Sequence, residues 1–300
     1  PGSNQESPVP ARRKRGGSPF SSISSAFSKM FGRVESREVS VSAFVPDQIE
    51  KAIPFTIQTW LHWETSRQEV ERRARDTGHQ VEAGTRTGLK IEEGVVVEFT
   101  LKPKILLDAD MSRRAQTRRI VWQGHPANVE FVVVWPENTP DITYETVEIS
   151  VEGLPLGEAT LCLRSNGSGR RSVVSDFRRV KRAFVSYSTR DTQRVLASIQ
   201  AFQRVADVEL FIDVDSLRAG EDWQERLRSE VPTRDAFLLY WSENAAQSEW
   251  VEREWRLAFE ERGIDYIKPM PLDPVNPPEE LADLQFADKW SRLAEYQRLK

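Results

Sequence analysis

Between Arg182 and Glu261, three short apolar runs alternate with stretches of helical periodicity, and polar residues gather where each run ends. The runs are Ala183 to Tyr187, Val208 to Ile212 and Ala236 to Trp241. Strands that are apolar at nearly every position are buried on both faces, which is the condition of a parallel sheet covered by helices. In open sheets of this kind ligands collect beyond the carboxyl ends of the strands. Any chemistry is therefore to be sought in the polar segments that follow the runs.

After the first run, Ser188 and Asp191 stand at capping-box spacing before a helix that carries Val195, Leu196, Ile199 and Phe202 on one side. The amides of such a helix start are either capped or open to an anion such as a phosphate. The second run leads into Asp213 to Trp223, where Gly220 and several short polar residues mark a βα loop. Trp223, Leu227 and Val231 then form the apolar side of the next helix. Asp213 and Asp215 are close enough to suggest magnesium, but receiver-type magnesium sites place acids after the first strand. This chain has Ser186, Tyr187 and Ser188 there, and no metal is expected.

After the third run comes the helix Ser248-Glu249-Trp250-Val251-Glu252-Arg253-Glu254-Trp255. Glu252, Arg256 and Glu260 are spaced four apart with alternating charge, a solvated stripe of ion pairs. Glu254 lies roughly 200° around the axis from Glu252, in a row with Trp250 and Ala258, and so projects from the less polar side. A carboxylate beside a tryptophan in that position is either paired structurally or held for chemistry.

In their order and intervals, FVSYS, FIDVDSLRAGEDW, a strand ending at Ser242, and WVERE resemble the Toll/interleukin-1 receptor (TIR) domain of the NAD-cleaving type. The resemblance covers about Arg182 to the C terminus. It implies a flavodoxin-like α/β fold, a parallel sheet with helices on both faces. It also implies a BB loop at Asp213 to Asp222 and a Trp-x-x-x-Glu motif, here Trp250 and Glu254, whose glutamate is the catalytic residue. Nucleotide contacts carry over to Tyr187, Ser188, Thr189 and Arg190, to Asp213, Leu217, Gly220 and Trp223, and to Trp250. Trp250 is either a wall of the pocket or a support for its helix. Some NAD-cleaving relatives carry two arginines directly after the strand's tyrosine; here Ser188 and Thr189 stand there, with Arg190 one step later.

The implied reaction needs no cofactor, because NAD+ is the substrate. The implied partner is a second TIR domain, met through the BB loop. The alternative from the same resemblance is a non-enzymatic adaptor that acts by TIR–TIR binding.

A chain of 300 residues has room for two domains. The reading is a basic, serine-rich tail over 1–35, a β-sandwich-like sensing or docking domain over 36–165, a flexible linker over 166–180 and the TIR domain over 181–300. Within the tail, Phe20, Ile23, Phe27, Met30 and Phe31 recur at helical spacing after Arg12-Arg13-Lys14-Arg15. They form either a basic amphipathic segment that touches a membrane or a partner, or a linker with a few apolar residues. The sandwich rests on seven β-rich runs, VSVSAFV to EATLCLR, broken by one helix near Ser66 to Arg75. Glu148, Ser150 and Glu152 alternate with Val147, Ile149 and Val151, which predicts one wet and one buried face, and Gly153 to Gly157 reads as a hairpin connection.

A net charge of −4 implies no global field for nucleic acid, and no apolar run approaches the roughly 20 residues of a membrane-spanning helix, so a cytoplasmic location is expected. Cys162 as the only cysteine excludes an internal disulfide, and with three scattered histidines no Cys/His zinc cluster can be built.

Overall fold

Each β-rich run in the first half of the chain becomes a strand because alternate residues find a common core. The computed structural model describes residues 38–80, 88–165, 173–212, 228–282, 284 and 286. One five-stranded sheet has the order β3-β1-β2-β7, with β4 also paired to β1. These are β1 (Glu38–Pro46), β2 (Pro54–Trp63), β3 (His79–Gln80), β4 (Leu89–Lys90) and β7 (Ala127–Val134). The second five-stranded sheet runs β10-β9-β8-β5-β6. Its strands are β5 (Val96–Lys102), β6 (Gln116–Val121), β8 (Ile142–Val151), β9 (Leu154–Arg164) and β10 (Val173–Arg179). All pairings in both sheets are antiparallel.

Val39 and Val41, Ile57 and Leu61, and Phe131 and Val133 of the first sheet share one core cluster with Val97, Phe99, Val147 and Ile149 of the second, as a β-sandwich requires. Helix α1 (Arg67–Asp76) uses its two buried residues, Val70 and Ala74, to cover Phe44 and Trp60 on the other face of the first sheet. Trp122 and Trp135 are fully buried, and Trp63 meets Trp122 edge-on with centroids 5.2 Å apart. His62 is buried and bonded to Ser42 at 2.9 Å and to the Trp63 carbonyl at 2.8 Å, a structural arrangement.

Three local expectations change. The hairpin between β8 and β9 turns on only two residues, Glu152 and Gly153, both at positive φ (51° and 83°), because the register closes at Val151↔Leu154. Leu154 to Gly157 already belong to β9. Residues 173–179 of the supposed flexible linker are strand β10, paired with β9, so Val180 and Lys181 alone separate the sandwich from the next strand. The predicted wet face of β8 is not wet either: Glu148 and Ser150 are 3% and 4% exposed.

The cover over Glu148 comes from the second half of the chain. There a four-stranded parallel sheet has the order β12-β11-β13-β14. It comprises β11 (Arg182–Ser186), β12 (Glu209–Ile212), β13 (Ala236–Trp241) and β14 (Ile267–Pro271). In order of appearance this is 2-1-3-4, the flavodoxin-like order, with its switch point between β11 and β13. Helix α2 (Thr192–Val205) follows β11, while the short α3 (Glu243–Ala246) and α4 (Glu249–Arg262) follow β13.

The two faces of this sheet are used differently. Ala183, Val185, Leu238, Tyr240 and Met270 join α2 residues Val195, Ile199 and Phe202 in the core cluster that continues into the sandwich. Phe184, Phe237, Leu239 and Trp241 pack instead against α4 through Val251, Trp255 and Ala258. Lys268, in β14, reaches across to the sandwich, where its Nζ lies 3.0 Å from Glu148 Oε2 and also bonds Glu158. Lys102 meets the same Glu148 oxygen at 2.7 Å. A bridge between Ile91 and Ala206, and Asp207 within 3.6 Å of Lys90 and 3.8 Å of Arg179, extend the contact.

Candidate functional site

Two buried carboxylates meet the carboxyl ends of β11 and β13, at the switch point of the parallel sheet. Each receives a serine hydroxyl. Ser186, the last residue of β11, donates its Oγ–H to Glu254 Oε2 at 2.5 Å. Ser242, the residue after β13, donates to Asp191 Oδ2 at 2.5 Å, and Asn244 Nδ2 donates to Asp191 Oδ1 at 2.9 Å.

The local chain explains these positions. Ser242 leaves β13 with extended backbone and caps α3, its Oγ accepting from the Ala245 amide at 2.9 Å. Ser248 caps α4 likewise, accepting from Val251 N at 3.3 Å. That start directs Val251, Glu254, Trp255 and Ala258 inward, and α4 ends at Gly263, whose φ of 78° a glycine adopts without strain. The opposite side is the solvated stripe: Arg256 bonds Glu252 at 2.9 Å, and its second partner is Glu280 at 2.8 Å rather than the expected Glu260.

Glu254 thus lies on the buried side of α4, 3% exposed, across from a fully buried serine. Trp250, one turn earlier, is half-buried. Tyr187 is half-buried against the core on the α2 side of the sheet, Ser188 is buried, and Thr189 and Arg190 are exposed on a short 3-10 turn over Thr189–Asp191. Asp213, Leu217, Gly220 and Trp223, with the rest of the loop over 213–222, lie outside the described residues, as does the tail over 1–35.

Asp191 departs from its expected part. No side-chain cap bond forms at Ser188 or at Asp191; the Asp191 carboxylate turns inward instead, to Ser242 and Asn244. Arg194, one turn along α2, has Nη1 3.8 Å from Asp191 Oδ1 and Nη2 3.0 Å from Asp273 Oδ1. Asp273 in turn accepts from the Glu243 amide at 3.2 Å. A hydrogen-bonded rim therefore joins the ends of β11, β13 and β14. Tyr240, on the opposite face of β13, bonds Ser198 at 3.0 Å, and burial drives its phenol above the ordinary tyrosine value. It remains a neutral structural hydroxyl.

Ser186 and the inward Asp191 were not among the candidate residues. The signal for Ser186 is faint but present: one hydroxyl interrupts the apolar run AFVSY on the same face as Phe184.

A parallel α/β domain in 2-1-3-4 order, with a buried acid at its switch point, belongs to the flavodoxin-like class that binds ligands at that edge. The family is narrower than the class. Residues 183–300 match the family model of the TIR domain, and this part of the chain is a TIR domain, preceded by the antiparallel β-rich region. A search of curated proteins returned no match. Among the described residues, no helix is long and apolar enough to cross a membrane.

Proposed function

We propose that the TIR domain of this chain cleaves NAD+ between nicotinamide and ribose, with Glu254 as the catalytic residue. The reading is supported chiefly by one observation. The glutamate of the Trp-x-x-x-Glu motif is turned away from its ion-paired neighbours and set, with a hydrogen-bond donor, at the ligand edge of the sheet. Nicotinamide leaves as a neutral base, because the electron pair of the C1′–N bond returns to a ring nitrogen that was cationic. No strong acid is needed, unlike in ordinary glycoside cleavage. Positive charge then develops on the ribosyl C1′. A fixed carboxylate in a water-poor site stabilises that charge far better than one in bulk water.

Attack by water forms the new C1′–O bond, releases a proton and gives ADP-ribose. Attack by the adenine ring gives a cyclic form instead. Nucleotide contacts are assigned to Tyr187, Ser188, Thr189, Arg190 and Trp250, and to Asp213, Leu217, Gly220 and Trp223 in and beside the BB loop. Self-association through that loop activates the enzyme. Head-to-tail contacts of this kind are heterologous and can propagate. The setting is bacterial immune defence in the cytoplasm, with the β-sandwich as the sensing or docking part.

The experiment is nicotinamide release from NAD+ by concentrated protein, compared with Glu254→Gln. At least about a hundredfold loss in the folded variant is expected. Undiminished release by that variant would remove Glu254 from the reaction. Absence of turnover by the native chain even when crowded would favour a TIR adaptor.

A further inference from the structure

We infer that Ser186 is a positioning residue for Glu254, holding its carboxylate in the one orientation from which it can face the developing ribosyl cation. The inference deepens the NAD+-cleaving reading and rests on it.

The argument begins with placement. Ser186 closes β11, an interior strand flanked by β12 on one side and β13 on the other, with its register fixed by Val185↔Ile212 and Ser186↔Leu239. An interior strand of a parallel sheet is among the least mobile parts of an α/β domain, because its backbone bonds run to both neighbours. Ser186 is itself fully buried, and its short side chain has a single rotatable bond to the hydroxyl. Glu254 is the opposite case. It reaches the edge from a helix on a side chain with three torsions, which is costly to hold in one rotamer without a partner.

The 2.5 Å contact joins the longer side chain to the fixed one. A hydroxyl donating to a carboxylate at that distance is a charge-assisted bond, stronger than a neutral one. It falls on Oε2 and so restrains the rotation of the carboxylate plane as well as the reach of the chain. A group that must stabilise charge gains most when it is oriented before the reaction starts. The serine also spans the crossover between elements: it binds helix α4 to β11, a strand 68 residues away in sequence from Glu254. Packing of Val251, Trp255 and Ala258 holds the helix, while this bond orients the acid that the helix carries.

Ser186→Ala tests the assignment through a double-mutant cycle with Glu254→Gln, assayed by nicotinamide release alongside thermal unfolding, with rates normalised to folded protein. Loss of a hydrogen bond to a charged group predicts a fall of about ten- to a hundredfold in kcat for Ser186→Ala, with KM changed less than about threefold. In the Glu254→Gln background the same substitution should have almost no further effect, because Ser186 acts only through the acid. A folded Ser186→Ala enzyme with native kcat overturns the inference while leaving Glu254 catalytic. So does a full additional loss in the Glu254→Gln background, which would mean that Ser186 acts on something else. If Glu254→Gln itself retains native activity, the NAD+-cleaving role of Glu254 fails first and this inference falls with it.

Discussion

Replacing Lys268 by Met removes the only cation that β14 contributes to the carboxylates of the sandwich, while its volume and its packing in the strand are largely kept. The native ammonium is 4% exposed and bonds both Glu148 and Glu158. Burial alone would lower its proton affinity, but the two carboxylates outweigh that and hold it above the ordinary lysine value, so it stays charged. Deleting one partner of a buried ion pair typically costs about 3–5 kcal/mol, because the charge left behind has lost its compensation. Here Lys102 remains 2.7 Å from Glu148, and Glu158 retains some access to solvent, so the low end applies, about 3 kcal/mol. For a chain of this size that corresponds to a fall in melting temperature of about 6–12 °C. The assay is differential scanning calorimetry, which also reads whether sandwich and α/β domain still melt together. Lys268→Met combined with Glu148→Gln and Glu158→Gln removes the orphaned charges as well, and it should recover most of the loss. A single substitution that melts within about 1 °C of the native chain would refute the reasoning.

Three further outcomes follow from single sites. Ser242→Ala removes both the donor to Asp191 and the cap of α3, and should cost about 2 kcal/mol in urea unfolding; a change below about 0.5 kcal/mol would show that the rim does not depend on it. Glu152 sits at a φ of 51° in a two-residue hairpin, where asparagine is better tolerated, but its Oε1 also accepts from the Val96 amide at 3.4 Å. Glu152→Asn therefore exchanges a long bond for an easier backbone and should change stability by less than about 1 kcal/mol, and a larger loss would contradict the turn geometry. Burial lowers the affinity of the His62 imidazole for a proton, against the smaller opposing pull of the Trp63 carbonyl. The unfolded chain therefore takes up a proton at His62 from about pH 6.5 downward before the folded chain does, and stability declines with acid as this difference develops. Urea midpoints at pH 7.5 and 5.5 should separate more for the native chain than for His62→Gln; parallel shifts would exclude His62 as a source.

The strands of both halves were legible because burial leaves a periodic mark: alternate apolar residues in the sandwich, unbroken runs in the parallel sheet. The inward turn of Glu254 was legible for the same reason, since a helical wheel sets it apart from Glu252 and Arg256. What opposes a polar residue leaves no such mark. Glu148 and Ser150 alternate with valine and isoleucine as residues facing water would, yet they face Lys268 and Glu98. Lys268 in turn looks like an interruption of Ile267-Lys268-Pro269-Met270, and nothing local says that its partners lie 120 and 110 residues earlier. Asp191 satisfies the spacing of a cap, but Ser242 and Asn244 offer it better donors from a strand end that the sequence does not place beside it. Strand β10 is masked by the Gly- and Ser-rich stretch before it, because its pairing with β9 leaves no mark in its own composition.

The clasp and the candidate site are closer in the sheet than their separation in sequence suggests. Lys268 pairs in register with Leu238, and Leu238 with Val185, the residue before Ser186. One row across three hydrogen-bonded strands therefore ends on the sandwich at one side and adjoins the donor to Glu254 at the other. Successive strand residues point to opposite faces, so Val185 and Leu238 take part in the core shared with the sandwich, while Ser186 points toward α4. Anything that shifts the sandwich at Glu148 and Glu158 must either break the buried ion pairs, at the cost estimated for Lys268→Met, or carry β14 with it. With only Val180 and Lys181 between β10 and β11, the covalent connection offers little slack to absorb such a shift. Free movement of two tethered domains, the natural expectation for a Gly- and Ser-rich linker, is thus replaced by a joined body in which the position of the sandwich and the edge carrying Ser186 are set by the same strands.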